Sequence, residues 1–186
     1  MDKTLKDYLD YEFKCTIGDN LTYKHILKII ITRDPAWMRW LYIKAMRNAD
    51  FREDNTKNIL EYLIYLFYKR KKNILAVRLG YEIGSKNIQK GLKLFHNGPI
   101  VINNNTKIGA NCSLHGDNCI GNDGKSELAP IIGDNVEIGV GAKIIGNVKI
   151  ADNVVIGAGA VVVTDVLEKG AVVVGVPGKI VRKREK

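Results

Sequence analysis

The sequence predicts a mainly β chain, a parallel prism of short stacked strands preceded by an α-helical N-terminal region. Three observations predict it. Aliphatic residues recur every six positions, at Ile102, Ile108, Leu114, Ile120, Ile132, Ile138, Ile144, Ile150, Ile156 and Val162. Small or β-branched residues stand two places earlier, at Thr106, Cys112, Val136, Ala142, Val148, Val154 and Ala160, and glycine often follows the aliphatic position, at Gly109, Gly121, Gly133, Gly139 and Gly157. A period of six fits neither an amphipathic helix (about 3.6) nor one long strand (about 2.0). It fits a short strand and a turn, repeated; three such hexads close a triangular coil, and stacked coils bury the aliphatic ladder.

The elements follow in order. Residues 1–77 carry no hexad pattern and read as helical; 78–166 form the repeat domain and 167–186 a C-terminal extension. Tyr23 to Ile31 is apolar-rich, and Asp34-Pro35 makes a helix start with proline in the first turn. Trp37, Trp40, Leu41, Ile43 and Ala45 supply that helix with an apolar face. Asp54 or Asn55 is expected to cap a third helix through Tyr68, with Ile59, Leu60, Leu63, Ile64 and Phe67 inward. The run Lys69 to Lys72 then reads first as a helix C-terminus complementing the macrodipole, and second as a contact to acidic lipid or polymer. Between Ile120 and Ile132 the repeat lapses at Gly121 to Glu127, a polar run that reads as an excursion from the prism.

Composition narrows the function classes. The net charge of +9 has no nucleic-acid-binding motif beside it, so solubility or an anionic ligand explains it better than nucleic acid. The apolar stretch Ile59 to Tyr68 is too short to cross a bilayer, and the charged start of the chain lacks a signal peptide's apolar core. Cys15, Cys112 and Cys119 show no metal-ligand spacing and read as reduced thiols of a cytoplasmic protein.

Three histidines make the search for chemistry short. His25 lies in a helical stretch and reads as a surface or packing residue. His96 shares the phase of Ile102 and so replaces an aliphatic rung at the start of the ladder, where a polar ring needs a partner or a task. His115 follows close to one coil later, so both rings could line one side of the prism, offset by one position. A metal site is poorly supported, since it would need a carboxylate or a subunit-bridging arrangement beside the two rings and no His-rich cluster is present.

With these residues in view, the stretch from Gly80 to Val181 resembles the serine acetyltransferase-like branch of the hexapeptide-repeat acyltransferases. The markers are Gly80 to Ile83, Phe95 to Ile102, Ile138 to Gly146, Gly157 to Val162 and Gly175 to Val181. The resemblance implies a left-handed parallel β-helix of hexapeptide repeats, a homotrimer, and acetyl-CoA as co-substrate with no metal. It implies that His96 removes the proton of an acceptor hydroxyl attacking the thioester, and that Glu82 orients His96. It places CoA along the prism edge between subunits, with Gly141, Ala142, Gly159 and Ala160 against the pantetheine arm and Lys179 and Arg182 near the nucleotide phosphates.

The acceptor is read from departures. Phe95 stands where the serine enzymes carry an aspartate, and their Arg-His pair has no match around Glu127 to Pro130. The run Cys112-Ser113-Leu114-His115 is similar to members that acetylate sugars of capsule, exopolysaccharide or lipopolysaccharide. The expectation is therefore a carbohydrate acceptor, with Phe95, Asn97 and His115 on the substrate side. Serine O-acetylation is the enzymatic alternative. A non-catalytic β-helix in a membrane-surface complex, with further assembly or peripheral membrane contact through the helices, is the alternative of another class; a metal-dependent hydratase on the same fold is more distant.

Overall fold

Local capping sets where the first part of the chain turns helical. In the computed structural model, which describes residues 5–184, four helices occupy the unit up to Gly80: α1 (Leu5–Ile17), α2 (Tyr23–Ile31), α3 (Pro35–Asn55) and α4 (Ile59–Leu79). The side chains of Thr22, Asp34 and Asn58 accept first-turn N–H groups at the starts of α2, α3 and α4, which would otherwise lack partners. Gly80, at φ 79°, closes α4 in the left-handed conformation that glycine adopts without a Cβ penalty.

Helix α3 is the centre of this unit. Trp40, Ile43 and Ala45 are buried as the apolar pattern predicts, with Tyr42 and Met46 beside them. Phe13 of α1 meets Trp40 edge to face, its ring centroid 5.2 Å away. Arg47 donates two hydrogen bonds to Glu12 Oε1, at 2.9 and 2.7 Å, inside the α1–α3 packing.

Three expectations for α4 are corrected. Its cap is Asn58, which accepts the Glu61 N–H at 2.9 Å, because α3 runs on through Asp54 and Asn55. The helix then extends to Leu79, so Lys69 to Lys72 lie in its middle and Arg78 is the basic residue of its last turn. Lys69 Nζ sits 3.7 Å from Glu53, and burial holds the Lys72 amine below its usual value, partly offset by Asp50. Ile59, Leu60, Leu63 and Phe67 are exposed, whereas Leu75 and Leu79 are buried.

The second unit is the predicted prism, a left-handed parallel β-helix. One face stacks β1 (Tyr81–Ile83), β3 (Ile100–Ile102), β6 (Asn118–Gly121), β9 (Lys143–Ile145) and β12 (Val161–Val162). A second stacks β4 (Lys107–Ile108), β7 (Ile131–Ile132) and β10 (Lys149–Ile150), continued by single bridges at Ile88 and Val166. The third stacks β2 (Lys93–Leu94), β5 (Ser113–Leu114), β8 (Glu137–Ile138), β11 (Val155–Ile156), β13 (Ala171–Val174) and β14 (Lys179–Lys183). β13 and β14 pair antiparallel, so the segment read as an extension continues this face. Glu185 and Lys186 of the basic tail lie outside the described residues.

Register explains the lapse in the repeat. Ile108 pairs with Ile132 and Leu114 with Ile138, so the chain between Ile120 and Ile132 advances by only one face of the prism. The surplus residues leave the coil as a loop, in which Asp123 Oδ1 accepts the Lys125 N–H at 2.9 Å. Ile120, Ile138, Ile144 and Ile156 are fully buried, each worth about 1.5–3 kcal/mol of transfer free energy. Asn111, Asn135 and Asn153 turn corners at φ 56–61°, a region asparagine tolerates better than most residues.

The recurrent glycines have a packing reason. A Cβ on Gly139 would stand 2.6 Å from the Ala158 backbone nitrogen of the next coil. Gly139→Ala is therefore expected to cost about 1–3 kcal/mol, read as a lowered thermal midpoint. Cys112 is buried at the small-residue position, and burial pushes its thiol up to about 12. It is expected to resist alkylation at pH 8 in the folded chain and to react in denaturant; rapid native labelling would contradict its placement.

Candidate active site

The site begins where the third face of the prism turns its corner. One residue past each strand, the ladder continues: Phe95 N–H donates to Leu114 O, His115 N–H to Ile138 O, Gly139 N–H to Ile156 O and Gly157 N–H to Val173 O. Phe95, His115, Gly139 and Gly157 therefore stand in one column, spaced as adjacent strands are, about 4.8 Å apart. The upper two rings stack at 4.5 Å between centroids and 6° between planes. The lower two positions have no side chain. This step from aromatic rings to bare backbone leaves a cleft of about 400 Å³, lined by His96, His115, Glu137 and the segments Gly139–Val140 and Val155–Ala158.

His96 belongs to the neighbouring column, with Gly116, Val140 and Ala158. A Cβ on Gly116 would meet the His96 Cβ at 3.4 Å, so the glycine leaves room beneath the ring. The ring itself is exposed in the cleft, while the Tyr81 hydroxyl donates to the His96 carbonyl at 3.0 Å and ties the loop to the first face. Both histidines thus reach one cavity, as their spacing suggests.

The other expected residues divide. Glu82 is exposed on β1, in register with Val101, and among the described residues it makes no hydrogen bond to His96. Asn97 is exposed beside His96. Gly141 and Gly159 stack at the same corner as the cleft, at φ 73° and 67°, a Cβ on Gly141 meeting Gly159 Cα at 3.8 Å. Ala142 and Ala160 are fully buried, so their methyl groups fill the prism instead of lining the cleft. Lys179 and Arg182 are exposed on β14, two strands beyond β11. Among the described residues no group of three His, Cys, Asp or Glu side chains could hold a metal ion.

A charged group at the cleft, Glu137, and its neighbour Arg184 escape the sequence reading. Glu137 Oε1 lies 3.4 Å from His115 Nε2, and its Oε2 lies 3.6 Å from an Arg184 guanidinium nitrogen. Glu137 looks in sequence like any polar residue of a strand, and Arg184 looks like tail. Strand pairing, which sets Glu137 opposite Ser113, is what brings the carboxylate beside His115.

Comparisons with known proteins place this geometry. Residues 129–164 match the family model for the bacterial transferase hexapeptide (six repeats). A serine acetyltransferase of Staphylococcus xylosus is 39% identical over 95 residues, covering 45% of this chain and 44% of that protein. The chain thus spans under half the length of the curated relative it matches. The serine acetyltransferase of Neisseria gonorrhoeae, solved in complex with serine, is 27% identical with a TM-score of 0.69, covering 96% of this chain and 69% of that one. Soybean serine acetyltransferase complexed with serine is 27% identical with a TM-score of 0.70, covering 97% and 70%.

These relatives overturn the carbohydrate acceptor and the placement among polysaccharide-modifying members. The physical reason is local. Of Cys112-Ser113-Leu114-His115, Cys112 and Leu114 are fully buried in the ladder and report on the prism alone. Serine was disfavoured for want of charges near Glu127, yet folding brings a charged group, Glu137, to the cleft from elsewhere, with Arg184 3.6 Å from it.

Proposed function

We propose that this hexapeptide-repeat transferase moves an acetyl group from acetyl-CoA to the hydroxyl of serine, with His96 as general base. The observation that carries the reading is the cleft itself, where an exposed imidazole faces side-chain-free backbone at Gly139 and Gly157. The likeness to serine acetyltransferases supplies the acceptor.

The chemistry follows from the parts. A hydroxyl is a poor nucleophile at neutral pH, so His96 takes its proton as oxygen attacks the thioester carbon. The new C–O bond forms, the C–S bond breaks, and the thiolate recovers the proton carried by His96. Holding acceptor and thioester in one ternary complex removes much of the entropy of encounter. Glycines at the corner suit a pantetheine arm, because a chain can approach backbone closely there; Gly141 and Gly159 continue that strip, and Ala142 and Ala160 keep it shallow by turning their methyls inward. Lys179 and Arg182 are the cations on β14 that would meet the nucleotide phosphates. The cleft is open along one side of the chain, and a homotrimer would close it with a neighbouring prism. Glu82 would act on His96 only in such an assembly or on substrate binding.

The test is direct. Purified protein given acetyl-CoA and serine is expected to release CoA thiol and form O-acetylserine in equal amounts. Thiol release that is no faster with serine than without it, from folded protein, would overturn the acceptor.

A further inference from the structure

We infer that Glu137 and Phe95 are positioning residues that hold His115 as a hydrogen-bond acceptor facing the acceptor substrate; this rests on the proposed acetyl transfer to serine. Of the two cleft imidazoles, His115 is the one with a carboxylate beside it. Its Nε2 lies 3.4 Å from Glu137 Oε1, a separation of the kind that tightens into a hydrogen bond when substrate fills a site. An Arg184 guanidinium nitrogen lies 3.6 Å from the other carboxylate oxygen.

A carboxylate accepts and cannot donate, so the contact selects the tautomer with the proton on Nε2. The Nδ1 lone pair is then left to accept from another group. Phe95, stacked at 4.5 Å and 6°, removes the remaining freedom, because rotation of the imidazole plane would break the stack. The side chain is 30% exposed, so packing shields part of the ring from water. With His96 engaged by the hydroxyl, the donor left on serine is its ammonium group. His115 Nδ1 accepts from it and orients the hydroxyl toward His96. This is the carboxylate–imidazole arrangement used in acid–base sites, applied here to substrate orientation.

The experiment combines spectroscopy with kinetics on the full chain. Long-range proton–nitrogen correlation of the three histidines, at a pH where the rings are neutral, is expected to show His115 protonated on Nε2. Glu137→Ala is expected to turn it into a tautomer mixture. Glu137→Gln, which retains an acceptor oxygen, is the second variant should alanine disturb folding, and it should preserve the tautomer. In the kinetics, Glu137→Ala is expected to lower kcat/KM for serine about tenfold with KM for acetyl-CoA unmoved. His115→Asn keeps an acceptor near the Nδ1 position without needing the carboxylate, so Glu137→Ala should add no loss in that background. Protonation on Nδ1 in the unaltered chain, an unchanged spectrum in Glu137→Ala, or independent multiplicative losses would each overturn the inference. If the chain does not acetylate serine, the proposed function fails while the tautomer result still decides the placement of His115.

Discussion

His96→Ala is expected to slow serine-dependent thiol release by about a hundred- to ten-thousand-fold, the range that a positioned general base contributes. The ring is exposed and contributes no rung to the buried ladder, so the variant should melt where the parent does. Its KM for acetyl-CoA should also hold, because Gly139, Gly157 and the corner glycines are untouched. The measurement is steady-state CoA release with serine varied, beside a thermal melt. Activity within about fivefold of the parent would remove His96 from the chemistry. Asn97 and Phe95 provide the contrast: neither can take a proton at neutral pH, so substitution there should act through serine binding.

Glu12→Ala is expected to destabilise the helical unit by about 3–5 kcal/mol. The carboxylate is fully buried and accepts two hydrogen bonds from Arg47, which is itself only 7% exposed. Removing it takes two charge-assisted hydrogen bonds from a buried guanidinium that cannot lose its charge. A loss of that size consumes much of the roughly 5–15 kcal/mol that holds a domain folded. The check is helical circular dichroism against temperature, with the double variant Glu12→Leu/Arg47→Met as control. The control should recover most of the loss, because an apolar pair of similar volume buries no charge. A single-variant shift below about 1 kcal/mol would mean that water reaches Arg47.

How far the site was legible depends on the kind of signal. The ladder from Ile102 to Val162 could be read because each rung needs the same thing, an aliphatic side chain every sixth residue, and nearby sequence reports it. His96 shares the phase of Ile102 and so reads as a replaced rung, but Leu94 is the buried rung, in register with Leu114, and His96 stands exposed two residues on, at the corner. Asn58 was missed as a cap because Asp54 and Asn55 offer the same chemistry a few residues earlier, and capping alone does not say where α3 stops. The inward face assigned to Ile59, Leu60, Leu63 and Phe67 was overturned for a related reason: periodicity identifies an apolar stripe but not what covers it.

The sequence by itself determined the prism, because a six-residue repeat shows its period locally, whereas the column of Phe95, His115, Gly139 and Gly157, which is not evenly spaced along the chain, follows from the strand pairing. Only the tertiary structure decided that Glu137 would stand 3.4 Å from His115 and Arg184 3.6 Å from Glu137. Those contacts join β8, the residue after β5 and the residue after β14, whose antiparallel return breaks the repeat. Charge pairing across such distances depends on where strands stack and turn in space, and no local pattern of residues encodes it.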